Sequence, residues 1–106
     1  MNDGWYSVSR EAETSDTARM VLTGEFDLEN AKHLTAALLE AIGDPDVTGV
    51  VVDMSGTTFL DSSGVKAIVT AYDAAEDAGK PLRLRNLQQP VRRVFEILEL
   101  TALLQP

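Results

Sequence analysis

The chain has 106 residues, 44% of them hydrophobic, and carries a formal net charge of −8. That length suits one compact domain with a single core, and the acidity argues against nucleic acid, whose phosphates such a surface repels. The lack of cysteine excludes disulfide staples and thiolate metal sites, and it fits a reducing compartment such as the cytoplasm.

No apolar run approaches the roughly 20 residues needed to cross a bilayer, so no membrane insertion is expected. "MNDGWYS" lacks the basic-then-apolar order of a signal peptide. One domain over residues 1–106 is expected, with 1–4 flexible. In "WYSVSREA", Tyr6 and Val8 alternate with Ser7 and Ser9, which predicts a short strand. After the turn cluster "ETSDT", "ARMVLTGEF" predicts a second strand that closes a hairpin with the first. A helix is predicted from Asp27, with Leu34, Leu38, Ala41 and Ile42 at helical spacing and Asp27 and Glu29 at its positive end. Gly43 and "DPD" end it.

"VTGVVVDM" predicts the most buried strand, since Val50, Val51 and Val52 suggest cover on both faces. A helix follows "DSSG", with Val65, Ile68, Val69 and Tyr72 along one face, and Gly79 and Pro81 end it. "LRLRN" alternates, Leu82 and Leu84 inward, Arg83 and Arg85 outward. Pro90 suits the first turn of a last helix whose buried stripe is Val91, Val94, Phe95 and Leu98. "TALLQP" is expected to pack back on the sheet. Strands alternating with helices imply crossovers and parallel pairing, mixed by the opening hairpin.

The chemistry concentrates in "TTFLDSSGVKAIV". Ser and Asp are favoured helix N-caps because their oxygens accept bonds from free backbone N–H groups. Gly64 permits close approach of another chain segment. Taken alone, the four letters D-S-S-G favour a cap. A phosphate at Ser62 is also tolerable, because helix N-termini favour anions, and it would add about −1.5 to −2 charge. Asp61 adjoins it, and Asp27 is expected at the same end of the sheet. The consequence would be altered partner affinity, not unfolding.

Other sites are weaker. A hydrolase triad would need His33, the sole histidine, which is expected on the surface, and G-x-S-x-G is absent. Asp27, Asp53 and Asp61 could be imagined as a metal pocket, but Asp53 is better read as bonding local backbone where the chain turns. No phosphate-binding loop marks a nucleotide site, so no cofactor is expected. The basic stretch from Lys80 to Arg93 is either a solvated face or a patch for a partner or anionic lipid. Monomer and weak homodimer both remain open, with Trp5, Tyr6 or the "TALL" tail as contact candidates.

"LTGEFDLENAKHL", "GVVVDMSGTTFLDSSGVKAIV" and "PVRRVFEILEL" resemble the signature stretches of STAS domains, and more narrowly of bacterial anti-sigma factor antagonists. The resemblance spans about Met20 to Leu104. It implies an α/β fold, a mixed four- to five-stranded sheet with helices on one side. It also implies a non-enzymatic, cytoplasmic partner switch. The unmodified protein binds an anti-sigma factor serine kinase and frees a sigma factor. The kinase, which holds the ATP, phosphorylates the first serine of the motif, and a serine phosphatase reverses the change. The phosphosite maps to Ser62, and partner contact maps to Asp27, Asp61, Ser62, Ser63, Gly64 and Val65. The alternative is a STAS subunit or regulatory domain of a membrane transport system for lipids or anions. Family members usually end the last helix with glycine, where this chain has Glu99.

Overall fold

The computed structural model describes residues 5–104. The flexibility expected of residues 1–4 lies outside that range. The elements are β1 (Tyr6–Ala12), β2 (Thr17–Phe26), α1 (Ala31–Gly43), β3 (Gly49–Leu60), α2 (Ser62–Asp77), β4 (Leu82–Arg85), α3 (Gln89–Ile97) and a 3₁₀ turn (Thr101–Leu104). The described residues form a four-stranded sheet in the order β1-β2-β3-β4. The first pair is antiparallel and the others parallel.

Register decides which face is covered. Ala18, Val50 and Leu82 lie side by side, as do Met20, Val52 and Leu84. All six are buried, and they join one core with Leu34 and Leu38 of α1, Val65 and Ile68 of α2, Val91 and Phe95 of α3, and Leu103. Strand side chains alternate between faces, so the helices cover this one. The other face carries Arg19, Val51 and Arg83 in one row and Val21, Asp53 and Arg85 in the next. Val51 is only half-buried. The expected cover on both sides of β3 is therefore wrong: three valines in a row reflect β-propensity at Val51 rather than a second packed layer.

β3 also runs past "VTGVVVDM" to Leu60. Its register against β2 slips between Val21 and Thr23 and again between Gly24 and Glu25. Each slip puts an extra residue in β3, as β-bulges do. Asp53 thus sits where the strand bulges and not where the chain turns. Its Oδ1 accepts the Ser55 N–H at 3.0 Å, and its Oδ2 accepts from Arg19. Past the bulges, the Thr57 hydroxyl donates to the Leu22 carbonyl at 2.9 Å, so a buried polar side chain is satisfied.

Asp27 does not begin a helix. Residues 28–30 form a turn, and α1 starts at Ala31 with no acidic residue in its first turn. The Asn30 side chain causes this. It accepts the Asp27 N–H and donates to the Glu25 carbonyl, offering the backbone an alternative to the helix. α1 ends at Gly43, where Lys80 Nζ donates to the carbonyls of Ile42 and Asp44 at 2.6 and 3.0 Å. A cation there complements the helix dipole.

The ends of α2 and α3 match each other. Gly79 N–H donates to the Glu76 carbonyl and Lys80 N–H to that of Ala75, while Glu99 and Leu100 repeat the pattern with Glu96 and Phe95. Both are Schellman motifs. Gly79 and Glu99 hold the left-handed position, at φ of 71° and 58°. α3 therefore stops where a glycine would stop it. Leu98, expected in the buried stripe, falls on the cap and is half-exposed.

Candidate functional site

The D-S-S-G segment forms the junction of β3 and α2. Asp61, in extended conformation, is the N-cap, and its Oδ1 accepts the N–H groups of Ser63 and Gly64 at 2.8 and 3.1 Å. Ser62 is the first helical residue and is exposed. The cap therefore belongs to Asp61, and the Ser62 hydroxyl faces solvent outside it. Two of the helix-end donors that would welcome a phosphate, the Ser63 and Gly64 N–H groups, are already used.

A second chain segment is held against this junction. Asp61 N–H donates to the Phe26 carbonyl at 3.2 Å. A Cβ on Gly64 would lie 3.1 Å from that same carbonyl oxygen and 2.6 Å from Leu60 Cδ1. The bare backbone at Gly64 is what lets β2 approach so closely. Asp27 follows Phe26 directly and is partly buried; its Oδ1 accepts the Glu29 N–H. The structure thus brings the Asp27 turn and the α2 N-terminus to one end of the sheet. Gly64 and Val65 are buried, so Val65 supplies core beneath the site and not surface, because its side chain faces the helix-covered layer.

Several neighbours were not singled out from the sequence. Leu28 and Phe59 are exposed large apolar residues next to the two junction strands' ends. A groove of about 560 Å³ between α1 and α2 is lined by Leu28, Lys32, Leu39, Ser63, Lys66 and small residues. The one legible signal was the four-residue step from Ser62 to Lys66.

The remaining candidates lie elsewhere. His33 is exposed, with Nδ1 2.8 Å from the Tyr6 hydroxyl. Asp53 is separated from Asp61 by most of the far half of β3, roughly 20 Å of strand. No group of three or more metal-ligating side chains occurs among the described residues. The basic stretch is dispersed, since Lys80 caps α1 and Arg92 pairs with Glu96 at 3.4 Å. Among the described residues no helix is long and apolar enough to cross a membrane. The tail is committed to the core through Leu103, whereas Trp5, Ile97 and Leu98 are exposed.

Known proteins share this fold. A family model described as Mlab, STAS domain matches residues 9–105. An anti-sigma F factor antagonist of Lysinibacillus sphaericus is 29% identical over 86 residues, 81% of this chain and 74% of that one. The anti-sigma factor antagonist SpoIIAA in its unphosphorylated form superposes with a TM-score of 0.80 at 26% identity, over 93% of this chain and 86% of its own. The Bacillus cell fate determinant SpoIIAA in the phosphorylated form gives 0.75 at 25% identity, over 93% and 89%. With nearly its whole length matched by the family model, and a four-stranded mixed sheet and three helices of the same fold, the chain belongs to the STAS domain family.

Proposed function

We propose that this protein is an anti-sigma factor antagonist that works by partner switching at Ser62. The observation that carries the reading is the exposed Ser62 hydroxyl at the first position of α2, with the cap made by Asp61 instead. Its similarity to SpoIIAA, known in unphosphorylated and phosphorylated forms, supports the same reading. Unmodified, the protein binds an anti-sigma factor serine kinase and so releases a sigma factor. The contact surface is built from Asp27, Asp61, Ser62 and Ser63, over a foundation of Gly64 and Val65. The γ-phosphoryl group of the kinase's ATP passes to Ser62 Oγ, the hydroxyl proton is lost, and ADP leaves. A serine phosphatase restores the hydroxyl by hydrolysis. The protein is a regulator and not an enzyme, acting in the cytoplasm as a monomer or weak homodimer.

The switch is electrostatic. A dianion enters a contact that accepted a neutral hydroxyl, and Asp61 and Asp27 already make that end acidic. A mismatched charge in an interface costs roughly 2–5 kcal/mol, which is tens to thousands of fold in affinity. Titration calorimetry with the cognate anti-sigma factor tests this. Ser62→Ala is expected to bind like wild type and to resist phosphorylation, and the protein phosphorylated at Ser62 to bind at least tenfold more weakly. Equal affinity of both phosphorylation states would refute the switch.

A further inference from the structure

The groove between α1 and α2 is basic, whereas the chain as a whole is acidic. The chain has 17 carboxylate residues and nine lysines and arginines, yet the groove lining contains Lys32 and Lys66 and no acidic side chain. Neither lysine enters an ion pair among the described residues. Small residues such as Ala31 and Ala67 form the floor, and Leu28 and Leu39 are exposed on its lining. A surface of that kind suits an apolar segment flanked by carboxylates, laid along the two helices.

Lys66 connects this groove to Ser62. Both are exposed on α2, four residues apart. Side chains at that spacing meet across one helical turn, and an anion placed N-terminal to a cation is the favoured order. Asp61 occupies the Ser63 and Gly64 N–H groups, so a phosphate on Ser62 finds those donors taken and Lys66 one turn away.

Resting on the assignment of Ser62 above, we infer that Lys66 reads the phosphorylation state of Ser62. In the unmodified protein its ammonium, with that of Lys32, faces carboxylates of the anti-sigma factor whose apolar segment lies in the groove. Phosphoserine at position 62 captures Lys66. The groove then loses an attractive charge and gains a repulsive one from a single modification. Charge complementarity selects an acidic partner segment as the occupant.

Two measurements test this on the intact chain. The first installs phosphoserine at position 62 during synthesis and follows the phosphate by ³¹P NMR against pH, in the wild-type background and in Lys66→Met. Capture lowers the second phosphate ionisation in the wild-type background by several tenths of a pH unit relative to the variant, which titrates near the ordinary value of about 6. Superposable curves overturn capture. The second measures binding of unmodified wild type, Lys66→Met and Lys66→Glu to the anti-sigma factor kinase. Losses of about 3- to 10-fold for Lys66→Met, and larger for Lys66→Glu, are expected from one interfacial charge contact. Undiminished binding by Lys66→Glu, or Lys66-dependent binding to phosphatidylglycerol vesicles in place of the kinase, overturns the groove contact. A wild-type protein that binds no anti-sigma factor removes the proposed function, while the phosphate titration still decides capture.

Discussion

Arg19 and Asp53 meet on the uncovered face of the sheet and join the neighbouring strands β2 and β3. Arg19 also reaches Glu11 of β1 at 2.8 Å, so one guanidinium links three strands. Burial pushes the Asp53 carboxyl up, but bonds from Ser55, Arg19 and Asn86 outweigh it and hold the group below its ordinary value. A carboxylate lowered on folding contributes stability that is present above its unfolded pKa, about 3.9, and is lost as pH falls through the folded value. Asp53→Ala leaves the Ser55 N–H and Arg19 without their acceptor and is expected to cost about 1–3 kcal/mol at neutral pH. Urea unfolding from pH 7 to pH 2.5 measures it. The gap between wild type and variant is expected to narrow below about pH 4, and a gap that stays constant across that range contradicts the account.

Gly64→Ala tests the close approach of β2 to α2. The added Cβ meets a carbonyl oxygen and a leucine methyl at 3.1 and 2.6 Å. Overpacking of this kind costs about 1–3 kcal/mol, set against a helix-propensity gain of about 1 kcal/mol. Net destabilisation near 1 kcal/mol is expected from that difference, with faster amide exchange at Asp61 as its bond to Phe26 lengthens. A variant as stable as wild type, with unchanged exchange, shows that the junction has room to spare.

Glu99→Gly is expected to stabilise the protein. Glu99 occupies the left-handed position of a Schellman motif, where a Cβ costs about 1–2 kcal/mol and glycine avoids the strain. The larger backbone entropy of glycine in the unfolded chain offsets part of this, leaving a gain of about 0.5–1 kcal/mol. Gly79→Ala, at the matching position of α2, is expected to change stability in the opposite sense. Thermal unfolding of the two variants side by side decides the matter, and shifts of the same sign would contradict it.

Asp61→Ala removes the acceptor for two helix-end N–H groups, and a loss of about 1 kcal/mol is expected. Asp61→Asn keeps an acceptor oxygen and should lie within a few tenths of a kcal/mol of wild type. If the alanine and asparagine variants unfold at the same denaturant concentration, the carboxylate does not act as the cap.

Much of the element order was legible because each element is amphipathic at its own period. Leu82 and Leu84 alternate with Arg83 and Arg85 as a half-covered strand must, and they are buried as that pattern implies. Leu34, Leu38, Ala41 and Ile42 recur as a helix face must and are the buried residues of α1. The misreadings have local causes. At Asp27, one asparagine side chain offered the backbone better partners than a first helical turn. At Val51, local pattern could not report how many layers cover the sheet. At Leu98, a left-handed glutamate ended the helix one residue before the apolar stripe did.

For the site, the sequence alone determined the D-S-S-G junction between a strand and a helix, because capping residues act over a few neighbouring positions. The structure gives the cap to Asp61 and not Ser62, through bonds to residues two and three positions on. Only the tertiary structure laid Phe26 against that junction and opened a carboxylate-free groove beside Lys32 and Lys66. The last two depend on bulges that shift β3 against β2 and on how α1 and α2 lie together. Both are set by long-range packing, which no short stretch of sequence contains.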